Sequence, residues 1–74
     1  MDLRKVFSDN VKYYRKMLGI SQEKLAERSN LSTNYVGSIE SRIRRVNIDT
    51  IQKLAIGLQI EPSKLLVDRN KTKK

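Results

Sequence analysis

"SQEKLAERSNLSTNYVGSIE", residues 21–40, holds two short helical patterns with almost nothing between them. Leu25 and Ala26 sit on one face of the first pattern, and Val36 and Ile39 hold down the second. Only Ser29, Asn30 and Leu31 separate them, too short for a hairpin of parallel axes and suited to a sharp helix-turn-helix corner. Leu31 plugs that corner, and Ala26 is small where two helices cross closely. A corner of this kind needs a residue with positive φ. Asn30 suits it next after glycine, because its side chain can hydrogen-bond locally.

One device recurs outward from this stretch. An apolar residue, a cap position, three residues and another apolar residue occur as Ile20-Ser21-Leu25, Leu31-Ser32-Val36, Val46-Asn47-Ile51 and Ile60-Glu61-Leu65. This is the hydrophobic staple around a helix N-cap, with capping chemistry at Ser21, Ser32 and Asn47 and with Pro62 at the first helical position of the last. Upstream, Leu3, Phe7, Val11, Tyr14 and Leu18 form an apolar stripe that stops near Gly19. The spacing predicts five helices near 2–18, 21–29, 32–41, 47–58 and 62–67. Strand-like alternation, internal duplication and glycine-rich linkers are absent from the sequence, so it reads as one all-α bundle.

The length of 74 residues suits one small domain, which buries only about 60% of the surface its unfolded chain exposes. Without cysteine or histidine, disulfides and the usual thiolate or imidazole metal sites are excluded, and no carboxylate cluster suggests all-oxygen ligation. No metal and no cofactor are expected, and no small-molecule ligand is evident. Apolar runs stop at about three residues, so neither a membrane span nor a signal-peptide core is expected and the default location is the cytoplasm. Sixteen Lys and Arg against eight Asp and Glu give a net charge of +8, which suits a polyanionic partner. No nucleophile–base pair, paired catalytic carboxylates or phosphate-binding glycine loop can be assembled, so an enzyme is not expected.

The stretch 21–40, extended by "VKYYRKMLGI" upstream and "NIDTIQKLAIGLQIEPSKLL" downstream, resembles the Cro and cI type (XRE) helix-turn-helix regulators over nearly the whole chain. Gln22, Leu25, Ala26, Leu31, Val36, Ile39 and Glu40 match in register. Within that family, the length and the run "STNYVGSIE" are most similar to the controller proteins of restriction–modification systems. The resemblance implies a compact all-α, five-helix, lambda-repressor-like DNA-binding domain over residues 1–68 and a basic disordered tail over 69–74. Three positions depart from the family pattern: Asn30 replaces the usual turn glycine, Arg42 stands where glycine is common, and Val46 occupies a frequent proline position.

The resemblance also lays the third helix in the major groove of a double-stranded DNA operator, and residue chemistry then assigns roles. Thr33, Asn34, Tyr35, Gly37 and Ser38 are expected at the bases. Asn34 suits adenine, Thr33 offers a hydroxyl or a thymine contact, Gly37 lets backbone or phosphate approach, and Tyr35 packs over a sugar or base step. Ser32 is read as a cap. Phosphate contacts are expected from Gln22, at the start of the second helix, and from Arg42, Arg44, Arg45 and Asn47. Arg15 and Glu40 are implied to pair inside the domain. Leu66 and Val67, left over after Leu65 is used by its staple, are expected at a homodimer interface that spans a palindromic operator. The rival expectation is a helix-turn-helix used as a protein-interaction module, antitoxin or coactivator-like.

Overall fold

The computed structural model describes residues 2–41 and 44–69. These form α1 (Leu3–Leu18), α2 (Gln22–Ser29), α3 (Thr33–Ser41) and α4 (Ile48–Leu58), closed by a 3₁₀ turn at Pro62–Leu66. The fifth helix expected over 62–67 is therefore this single 3₁₀ turn. Pro62 supplies a favourable start, and the turn is only long enough to seat Leu65, which is fully buried. No strand occurs among the described residues.

Helix ends are set by side chains and by left-handed residues. Asp2 Oδ1 accepts from the Arg4 N–H at 3.1 Å, and Ser21 Oγ from Lys24 N–H at 3.0 Å. Ser32 Oγ accepts from Tyr35 N–H at 3.0 Å, which makes it a cap as expected, and Asn47 Oδ1 from Thr50 N–H at 2.8 Å. Each satisfies a backbone donor that the first helical turn cannot. At the other ends, α1, α2 and α4 stop on Gly19, Asn30 and Gln59 with φ of 71°, 57° and 62°. The next N–H turns back to the helix: Ile20 to Arg15, Leu31 to Ala26 and Ile60 to Ala55. This is the Schellman closure, and Ile20, Leu31 and Ile60 therefore end one helix and staple the next.

The core is Phe7, Val11, Leu25, Ala26, Val36, Ile39, Leu54, Ala55, Leu58 and Leu65. The α1 stripe is narrower than its spacing suggested: Phe7 and Val11 are buried, whereas Leu3 and Leu18 are 48% and 40% exposed. Both lie at the helix ends, beyond the elements that cover its middle. Ile48, the first residue of α4, is 80% exposed. The tightest helix crossing places Gly57 of α4 against Ser29 and Leu25 of α2, where a Cβ at residue 57 would overlap the Ser29 hydroxyl. Arg28 then donates from Nε to the Gly57 carbonyl at 2.9 Å, a cation at a helix C-terminus.

Two polar constructions hold the chain ends and the corner. Asn10, 1% exposed on α1, donates from Nδ2 toward the Leu65 and Val67 carbonyls, each at 2.9 Å, and the Lys64 carbonyl at 3.3 Å. Its Oδ1 accepts from Arg69 Nε at 2.8 Å, and the Arg69 guanidinium covers the Tyr13 ring at 3.7 Å. Arg69, expected in the tail, is thus folded onto α1; residues 70–74 lie outside the described residues.

The second construction is the pair expected between Arg15 and Glu40. Arg15 donates from Nε to Glu40 Oε2 at 2.7 Å and from a terminal nitrogen to Oε1 at 3.0 Å. The other terminal nitrogen donates to the Ile20 carbonyl at 2.8 Å. The side chains are only 12% and 2% exposed. A two-pronged pair of this kind is strong once made and costly to break on one side.

Asn10→Ala is expected to lower stability by about 2–3 kcal/mol, since it strands the buried carbonyls at the 3₁₀ turn; urea unfolding measures it. Arg15→Ala and Glu40→Ala should each cost about 3–5 kcal/mol, and the double variant less than their sum. Additive midpoints across that cycle would show that the two do not interact.

Candidate nucleic-acid interface

The outward face of α3 follows from its buried one. Val36 and Ile39 point into the core and Glu40 into the Arg15 pair, which leaves Thr33, Asn34, Gly37, Ser38 and Ser41 on the opposite side. Thr33, Asn34 and Ser41 are exposed and Gly37 and Ser38 half-buried. The expected readers Thr33, Asn34, Gly37 and Ser38 thus share one face. Ser41 joins them, which the i+3 and i+4 spacing from Ser38 and Gly37 could have shown.

Tyr35 does not share it. Its ring packs against the core, its hydroxyl lies 3.4 Å from Thr50 Oγ1, and the Arg44 guanidinium covers its ring at 5.2 Å from the centroid. Helical spacing places residue 35 at the edge of the inward face beside Ile39, where its ring is half-buried. On its other side the ring carries Arg44 by a cation–π contact.

The expected phosphate residues flank this face unequally. Arg44 is half-buried on Tyr35, and Arg45 is exposed. Asn47 uses Oδ1 for its cap, which leaves its amide hydrogens to donate to another partner. Arg42 lies outside the described residues. Gln22 is not a freely solvated first-turn side chain: its Nε2 donates to Glu40 Oε1 at 3.1 Å. Its Oε1 lies beside Gly37, 3.4 Å from where a Cβ would stand, and no other atom from outside the surrounding stretch of α3 comes within 4 Å of that position.

On the opposite side of the sequence, Leu66 and Val67 are 36% and 44% exposed. Leu66 borders a groove of about 280 Å³ with Leu3, Phe7, Val46 and Ile51, rimmed by Arg4 and Arg45. No group of acidic, histidine or cysteine residues suited to a metal occurs among the described residues. No helix among them is long and apolar enough to cross a membrane.

Known proteins share this architecture. The helix-turn-helix family matches residues 11–65. Control protein C.SmaI of Serratia marcescens is 41% identical over 66 residues, spanning 89% of this chain and 79% of that protein. The crystal structure of the restriction–modification controller protein C.AhdI from Aeromonas hydrophila superposes with a TM-score of 0.79 at 40% identity, over 84% of this chain and 94% of that one. C.Esp1396I bound to a 19 base pair DNA duplex superposes at 0.80 with 29% identity, over 88% and 87%. Family match, identity and fold agree, and the chain belongs to the helix-turn-helix family, similar within it to restriction–modification control proteins.

Proposed function

We propose that the protein is a sequence-specific DNA-binding transcriptional regulator that acts as a homodimer on a palindromic operator, without a catalytic step, in the cytoplasm. The observation that carries it is the outward face of α3. Five small or polar residues stand there, three exposed and two half-buried, on a short helix held from behind. Such a face is poor as a solvated surface, since Gly37 costs about 1 kcal/mol relative to alanine in a helix interior. Small donors and acceptors that let a base edge come close make it a good reader of the major groove. The DNA duplex bound by the related C.Esp1396I supports double-stranded DNA as the partner.

Asn34 is the principal base reader, with Thr33 and Ser38 beside it. Arg44, steadied on Tyr35, and Arg45 take phosphates next to the groove, and Asn47 and Arg42 complete that flank. A net charge of +8 adds long-range attraction to the operator. Dimerisation uses Leu66 and Val67 with Leu3 at the mouth of the groove, which sets two recognition helices about 34 Å apart, one turn of DNA.

Asn34→Ala should cost about 1–3 kcal/mol on the operator and relax preference at one position per half-site. Arg44→Ala should weaken all duplexes alike and flatten the salt slope by about one unit. Retardation assays on a selected operator and its point variants, over a salt series, separate the two; the same profile and slope in both variants would contradict the assignment. Sedimentation at micromolar concentration should find a dimer for the parent chain and a monomer for Leu66→Glu. A monomeric parent, or a dimeric variant with full operator binding, would remove the interface.

A further inference from the structure

The position of Gln22 has chemical content beyond a contact to the DNA backbone. Both Glu40 oxygens already accept from Arg15, and a carboxylate in an ion pair has only acceptors to offer. Whatever Gln22 presents to Glu40 must therefore be its amide nitrogen. The carbonyl oxygen is forced to the opposite side, and there it lies over Gly37. The orientation of this amide, ordinarily ambiguous between O and N, is fixed by what surrounds it.

Gly37 is where α3 has no side chain of its own. Beyond its own stretch of α3, the atom that stands within 4 Å of a Cβ position there is Gln22 Oε1. Position 37 therefore carries a borrowed side chain: an acceptor that belongs to α2 but lies beside the open side of Gly37 on α3. Phosphate oxygens are acceptors and gain nothing from it. The groups in the major groove that do are exocyclic amines.

We infer that Gln22 is a specificity residue: its Oε1, locked by the Arg15–Glu40 pair and uncovered by Gly37, accepts a hydrogen from adenine N6 or cytosine N4 in the operator. This rests on the DNA-binding reading above and deepens it. The second hydrogen of Nε2 stays available to a neighbouring phosphate, so the amide can span backbone and base. Glu40 is then a positioning residue for recognition as well as part of the structural pair.

The test is made on the DNA. In a duplex selected by the parent protein, each adenine is replaced in turn by purine and each cytosine by 2-pyrimidinone, which lack the exocyclic amine. Dissociation constants are measured for the parent, Gln22→Ala and Gly37→Ala, with circular dichroism confirming the fold of each. Several replacements should weaken the parent. At one position per half-site the loss, about 3- to 10-fold for a single hydrogen bond, should vanish in Gln22→Ala while the other positions keep theirs. Gly37→Ala, whose added methyl covers the acceptor, should lose sensitivity at that same position. If Gln22→Ala instead weakens every duplex by one factor and leaves the replacement profile unchanged, the inference is wrong while sequence-specific binding stands. A parent protein that selects no duplex overturns both.

Discussion

The recognition surface depends on the grip of Arg15 on Glu40. At Thr33–Ser41, α3 is far too short to hold itself together in water, and Val36 and Ile39, helped by the half-buried Tyr35 ring, anchor it by hydrophobic burial. Glu40 adds an anchor in its last turn. Through Arg15 that anchor reaches α1, through the Ile20 carbonyl it reaches the joint before α2, and through Gln22 it reaches α2 itself. One buried carboxylate thus ties together the elements whose relative placement decides where Thr33, Asn34 and Ser38 point. A helix held from its inner face in this way can spend its outer face on recognition.

The rest of the frame is economical because single residues serve two helices. Ile20, Leu31 and Ile60 each follow a left-handed residue that closes one helix, and each precedes a cap that opens the next. Joints of this kind leave little freedom in the angle between successive helices. Close approach of α2 and α4 at Gly57 fixes the remaining angle, and Asn10 fastens the last turn to α1.

The features legible in the sequence were local ones. Caps at Ser21, Ser32 and Asn47, the left-handed Asn30 and the stapled apolar pairs are set by neighbours within a turn or two, and all appear where spacing placed them. Features set by distant partners were not legible. Asn10 looks like any polar residue on a helix until the carbonyls of Lys64, Leu65 and Val67 close over it, and Gln59 in a left-handed cap carries no sequence signal of the kind glycine or asparagine gives. Ile48, Ile56 and Met17 show the converse: large and apolar, they nevertheless lie more than 60% exposed. At the candidate interface, the 3.6-residue period identified the outward face of α3 and placed Asn34 and Ser38 together on it. It could not show that Tyr35 turns inward under Arg44, or that the Gln22 carbonyl stands over Gly37, since both depend on contacts between elements.

A rigid corner, a small polar helix face and a strongly basic surface together suit one reader of double-stranded DNA, with the outward face of α3 proposed to meet the bases. Amide chemical shifts of the full chain, followed during titration with a selected operator duplex, locate the face that binds. The largest changes are expected at Thr33, Asn34, Gly37, Ser38 and Ser41, with smaller ones at Gln22, Arg44 and Arg45 and little change at Ile56 or Met17. Largest changes on α1 or α4, with the α3 resonances unmoved, would contradict that proposal.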